Sequence, residues 1–241
     1  YSGDGLVAHY AAFASAVSEL DCVVHYAVKA NSSLGVLGLL AQQGAGADIV
    51  SGGEMKRALL AGIAPDKIVF SGVGKTDDEI RAALQARIAQ INAESATELR
   101  HISQIAAETE RQAPVALRVN VNVDPGSHAK ISTGQRSTKF GIPVADGEAA
   151  MLYHQLCSDP NLIPRGLAVH IGSQLCKLDP FERAYQELLA LADMLRAEGL
   201  DVPILDLGGG LGVDYEEEKT PDFDDYGQMV TRMFASRGYK L

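Results

Sequence analysis

Positive charge is scarce in this sequence. Of 241 residues, 21 are Lys or Arg against 31 Asp or Glu, a net charge of −10 with histidine neutral. An acidic chain repels phosphate backbones, so no nucleic-acid partner is expected. Long apolar runs are missing as well. None approaches the roughly 18 residues that cross a bilayer, and no membrane partner is expected either. No basic-then-apolar leader stands at Tyr1, which leaves secretion unsupported. Cysteine is rare: Cys22, Cys157 and Cys176 are odd in number, and their spacing matches no zinc pattern. They read as reduced thiols of a cytoplasmic protein, buried or incidental, with no metal bound. There is no low-complexity linker and no sign of a second-domain boundary. What remains is 46 % hydrophobic, too much for a disordered chain.

The clearest positive signal is alternation. Apolar, β-rich runs fall at Val23–Val28, Ala47–Val50, Lys67–Phe70, Ile88–Ile91, Val115–Val121, Gly166–Ile171 and Ile204–Leu207. Between them, Ile80, Ala83, Leu84 and Ile88 recur at helical intervals, as do Leu99, Ile102 and Ala106, and Tyr185, Leu188, Ala192 and Leu195. Three helix starts carry a capping-box pattern: Ser51-Gly-Gly-Glu54, Thr76-Asp-Asp-Glu79 and Ser95-Ala-Thr-Glu98. Short strands alternating with amphipathic helices mean βαβ units and a parallel sheet. The first four strands are about 20–25 residues apart, the spacing of a parallel (β/α)8 TIM-type barrel. Such a barrel takes eight strands and about 250 residues. Seven strands are visible, and the eighth is expected to begin where the sequence ends, at Met233–Leu241. The α/β barrel is therefore expected to be incomplete at strand eight, with residues 1–241 forming one barrel domain. One long irregular stretch, Asp124–Phe140, interrupts the pattern, and such loops are usually functional or disordered.

Barrel chemistry sits at the C-terminal ends of strands. Strand one ends Tyr26-Ala-Val-Lys29-Ala-Asn31. A desolvated amine at the mouth offers its lone pair for Schiff-base chemistry, and the alternative is an ordinary surface lysine. Strand two brings Asp48 to the mouth, as a working carboxylate or a helix cap. Arg118 sits inside an apolar strand, where a charge is expensive unless paired, and Asp48 is a candidate partner. Strand six ends His170-Ile-Gly-Ser173-Gln174, offering an imidazole and a hydroxyl; the other five histidines read as helix or loop residues. Strand seven runs into Gly208-Gly209-Gly210-Leu-Gly212, a turn whose amides can approach an anion closely. Its spacing is wrong for a dinucleotide fingerprint. A lysine, an imidazole and a phosphate cradle around one mouth suit pyridoxal 5′-phosphate.

At these motifs the sequence resembles the barrel-fold (alanine racemase-like, fold type III) pyridoxal-phosphate decarboxylases, the family that includes alanine racemase and ornithine decarboxylase. The segments carrying the resemblance are Tyr26–Asn31, Gly46–Glu54, Ile68–Lys75, His128–Gly134, Lys139–Ile142, His170–Gln174 and Gly208–Gly212, in the family's order across essentially the whole chain. The resemblance implies that Lys29 forms the Schiff base and that His170 stacks on the cofactor ring, these two being the catalytic residues. It implies that Ser173, Gly208, Gly209 and Gly210 hold the phosphate, and that Asp48 and Arg118 line the floor. Lys139 matches a lysine near the family's dimer interface. The implied reaction is α-decarboxylation of an amino acid; in the branch whose Ser71–Lys75 and Ile131–Ile142 segments are most alike, it is meso-diaminopimelate to L-lysine and carbon dioxide. The family works as a homodimer with active sites completed across subunits. Its strand-eight Glu-Pro-Gly-Arg, which supplies the pyridine-nitrogen partner, and its C-terminal β-domain are absent from this sequence. Other readings are a different decarboxylase or a racemase of the same fold, a non-catalytic cofactor-binding relative, and a sugar-phosphate barrel enzyme without cofactor.

Overall fold

The computed structural model describes residues 2–124, 140–214 and 220–241. The sequence's alternation becomes one parallel sheet. Its strands are β1 (His25–Ala27), β2 (Gly46–Ile49), β3 (Ile68–Phe70), β4 (Gln90–Ala93), β5 (Ala113–Asn120), β6 (Ile142–Pro143), β7 (Leu162–Val169) and β8 (Ile204–Asp206). The order is β1-β2-β3-β4-β5-β7-β8, every neighbouring pair parallel, and the two-residue β6 attaches to the end of β5. The segment Lys240–Leu241 lies beside both edges. Leu205 N–H donates to Lys240 O (2.9 Å), Lys240 N–H to Pro203 O (3.0 Å) and Val23 N–H to Leu241 O (2.9 Å). This ties β8 to the residues preceding β1 at the base of the barrel.

Helices α2 (Leu34–Gln42), α3 (Gly52–Leu60), α4 (Asp77–Ala86), α5 (Ala96–Glu108), α6 (Glu148–Ser158), α7 (Asp179–Ala197) and α8 (Phe223–Phe234) follow their strands; an additional helix, α1 (Gly3–Ala16), precedes β1 and packs on α8 and α2. The three expected caps form: Ser51, Thr76 and Ser95 each accept the N3 amide at 3.2, 3.4 and 3.1 Å. A side-chain cap contributes about 1 kcal/mol. Only Thr76–Glu79 is a reciprocal box. Ser51 and Ser95 are more extended, with φ of −158° and −160° against −85° at Thr76. Glu54 and Glu98 instead take the preceding amides, those of Val50 and Glu94.

The pleat sorts the strand residues into two layers. Ile49, Ile68, Phe70, Ile91, Leu117, Leu167, Val169 and Leu205 belong to the buried core with Leu99, Ile102, Leu188 and Phe181 of the helices. The alternate set, His25, Asp48, Val69, Gln90, Asn92, Arg118, Ala168 and Asp206, lines an interior cavity. This moves β4 from the expected Ile88–Ile91 to Gln90–Ala93, because its inward residues are polar. β5 and β7 pair over seven registered positions with a bulge at Arg165. Gly166 follows it with φ +131°, where a Cβ would sit 1.9 Å from Ile204 O. Only glycine lets β7 and β8 approach this closely.

Residues 125–139, and with them Lys139 and most of the long stretch after Asp124, lie outside the described residues. Among the described residues, no helix is long and apolar enough to cross a membrane.

Candidate active site

A cavity of about 380 Å³ runs through the barrel to the C-terminal ends of its strands. Lys29, Asp48, Arg118, His170, Ser173, Gly208, Gly209 and Gly210 all line it. The eight residues singled out in the sequence are thus brought to one place by five elements and the turns that follow them. β1 passes directly into a 3-10 turn at Val28–Ala30, which leaves the Lys29 side chain exposed at the mouth.

The glycine turn is shaped by contact with its neighbours. A Cβ on Gly208 would lie 2.2 Å from Val169 O, and one on Gly210 2.0 Å from Gly172 O, with φ of +70° and +116°. Both positions therefore require glycine. Gly209 differs: a Cβ there meets nothing within 4 Å among the described residues. The Ser173 loop is stitched to this turn by Leu175 N–H to Gly210 O (2.9 Å) and Gly212 N–H to Leu175 O (3.0 Å). Gly208 N–H donates to Asp206 Oδ1 at 2.9 Å. Gly209 N–H points at His170 Nδ1, 3.4 Å away. Burial, together with the charges of Arg118 and Lys29, pushes His170 down to about 3. The ring is neutral at physiological pH, and a proton-free Nδ1 is what the Gly209 amide requires.

Below the mouth lies a polar belt that the sequence shows only in part. Asp48 Oδ1 accepts from Ser71 Oγ at 2.6 Å, and Ser71 Oγ accepts from Asn92 Nδ2 at 3.1 Å. The Asn92 amide also reaches Asp206 Oδ2 (3.1 Å), and Gln90 donates to Asn92 Oδ1 (2.8 Å). Burial raises the Asp48 carboxyl to about 6; the Ser71 hydrogen bond opposes this, the Asp206 charge adds to it, and Lys29 and Arg118 oppose it. Arg118 does not pair with Asp48. Its Nη1 donates to Glu94 Oε1 at 2.8 Å, with 10 % and 3 % of the two side chains exposed. The register explains the choice: β4 adjoins β5, with Ala93 opposite Leu117, whereas Asp48 lies on β2. Phe140 covers the guanidinium, its ring centroid 5.0 Å away. His25, expected on a helix or loop, stands instead on β1 inside the barrel, where burial lowers its pKa.

The donor set fits a phosphorylated aldehyde. An exposed amine can condense with a carbonyl, a neutral flat ring can face a pyridine, and an amide-rich turn can hold phosphate. Glu94 Oε2 is buried without a hydrogen-bond partner among the described residues. Among the described residues no group of three or more His, Cys, Asp or Glu is arranged for a metal ion.

Fold and site together define a cofactor-binding parallel βα-barrel with Lys29 at its mouth. The chain belongs to the pyridoxal-dependent decarboxylase family, whose pyridoxal-binding domain matches residues 4–237. It is 48 % identical over 242 residues to the diaminopimelate decarboxylase of Vibrio cholerae serotype O1, covering 100 % of this chain and 58 % of that protein. The corresponding enzyme of Pseudomonas aeruginosa is 46 % identical over 241 residues, with the same coverage. Among solved structures, the diaminopimelate decarboxylase of Helicobacter pylori complexed with L-lysine superposes with a TM-score of 0.96 at 39 % identity, covering 100 % of this chain and 60 % of that one. The chain thus spans somewhat under two thirds of these relatives.

Proposed function

We propose that the whole protein is a pyridoxal-phosphate-dependent carboxy-lyase that converts meso-diaminopimelate to L-lysine and carbon dioxide. The observation that carries this reading is the convergence of Lys29, His170, Ser173 and the Gly208–Gly210 turn on one cavity. Identity of 48 % to a diaminopimelate decarboxylase supports the substrate. So does the Helicobacter pylori relative, crystallised with the proposed product L-lysine.

Bound pyridoxal phosphate supplies an electron sink for the pair released as the C–CO2 bond breaks. The chain's own residues do the rest. Lys29 Nζ would hold the cofactor at the mouth of the barrel. His170, neutral with Nδ1 facing the Gly209 amide, offers its ring as a flat wall. Ser173 Oγ and the turn of Gly208, Gly209 and Gly210 would hold the phosphate. Asp48 and Arg118 form the floor, Arg118 held rigid by Glu94. The barrel is one domain of a longer two-domain enzyme, a reading supported by its 58 % share of its relatives. We further propose a cytoplasmic homodimer whose sites are completed across subunits; Cys22 and Cys157 are free thiols, as a reducing compartment favours.

The test uses the whole protein with meso-diaminopimelate and measures lysine by chromatography. A protein that makes no lysine overturns the substrate. The bound cofactor gives an absorbance band near ~420 nm that Lys29→Ala abolishes. A wild-type protein reconstituted with cofactor that shows no such band overturns the cofactor reading.

A further inference from the structure

The turn between β3 and α4, Ser71-Gly-Val-Gly-Lys75, ends in a lysine after glycine, a pattern that in other settings meets phosphate. Here that lysine is sealed. The Lys75 side chain has 0 % exposure. Its ammonium donates to Gly72 O (2.6 Å), Asn92 O (2.7 Å) and Glu98 Oε1 (2.9 Å). Three donors meet three acceptors, so no N–H is left for a ligand. A buried ammonium survives only when paired and fully hydrogen-bonded, and this one is both.

The groups that Lys75 clamps also reach the cavity. Gly72 sits at φ +99°, and its N–H donates to Glu94 Oε1 (3.1 Å), the oxygen that accepts from Arg118. Its neighbour Ser71 donates to Asp48. Asn92, whose carbonyl Lys75 holds, uses its side chain to bridge Ser71 and Asp206. Glu98 closes the set, because its other oxygen accepts the Glu94 amide at 2.7 Å.

We propose that Lys75 is a positioning residue for the cofactor cavity: its ammonium locks the β3–α4 turn onto the end of β4, so that Ser71 and Glu94 present Asp48 and Arg118 in fixed orientation. This rests on the cofactor reading above. A lysine that merely closed a loop would affect thermal stability alone.

The test compares whole wild-type protein with Lys75→Met, which keeps the unbranched stem of the side chain, one atom shorter, and removes its donors. Hydrogen exchange in the 71–75 segment rises about 10-fold or more in the variant, while β5 and β7 exchange as in the wild type. Lys29 still binds the cofactor, but the visible circular dichroism of the bound cofactor changes. Turnover falls about 10–100-fold with KM within about 3-fold, as misplaced groups cause. If Lys75→Met does not fold, Glu98→Gln removes the counter-charge and one of the two acceptor oxygens that take Lys75 and the Glu94 amide, and exchange and dichroism changes of the same kind are expected. A folded variant with wild-type exchange and dichroism overturns the proposal, even if its melting temperature drops. Exchange and dichroism need no substrate, so wild-type protein that binds cofactor yet makes no lysine overturns the substrate assignment and leaves Lys75 testable.

Discussion

Asp48 is held in the barrel at a cost that depends on pH, and Asp48→Asn measures it. Burial lifts the folded-state carboxyl from its ordinary 3.8 to about 6. By linkage that displacement corresponds to about 3 kcal/mol. Below pH 3.8 both folded and unfolded chains carry the proton, and Asp48 costs nothing. Between 3.8 and about 6 the unfolded chain ionises first, so stability falls as pH rises. Above about 6 the whole penalty applies. Asparagine has nearly the same shape and still accepts from Ser71 Oγ, but has no charge to bury. Asp48→Asn in the cofactor-free whole protein is therefore more stable than wild type at pH 8, by up to about 3 kcal/mol. The gap closes as pH falls through 6 towards 4. With a urea m-value of about 3 kcal/mol/M, the midpoint moves by about 1 M at pH 8. Equal midpoints at pH 8 would refute the reasoning, as would a gap that persists unchanged at pH 4.

Other consequences follow from the same geometry. Glu94→Ala leaves Arg118 buried without its carboxylate, which costs about 3–5 kcal/mol; an unchanged thermal midpoint would contradict the pairing. Gly209→Ala and Gly210→Ala separate fold from ligand. A Cβ at Gly209 meets nothing within 4 Å among the described residues, so that variant folds, while its added methyl crowds the phosphate and reduces cofactor affinity about 10-fold. A Cβ at Gly210 meets Gly172 O at 2.0 Å, so that variant fails to keep the turn and binds no cofactor in an absorbance titration.

The sequence displays this site unevenly, for physical reasons. Lys29, Asp48, Arg118 and His170 stand out because each interrupts or ends an apolar run. Asn92 and Gln90 do not, because β4 is four residues long and its inward positions are polar, so the apolar signal falls two residues early at Ile88. Asp206 lies within Leu205-Asp-Leu207 and is masked by the glycines that follow. His25 is hidden for the same reason as Gln90, two residues before the end of a short strand. A period-two reading back from Ala27 finds His25, whereas the same reading from Ala93 falls on Ile91 and passes over Asn92 and Gln90. Which carboxylate meets Arg118 is a question of strand neighbourhood, and only the sheet order answers it. The seven principal strands were legible because their outward faces are apolar; α1 and β6 carry no comparable pattern.

The pleat of each strand assigns one set of side chains to packing and the other to the cavity. Adding or deleting a single residue within β2, β4 or β5 would exchange the two sets, turning Asp48, Asn92 or Arg118 towards the helices and Ile49, Ile91 or Leu117 inward. Such a change fails twice at once, in folding and in chemistry. Changes in chain length that this fold can absorb are thereby confined to the connections between elements, and the strands behave as fixed-length words in a text whose spacing alone is free to vary.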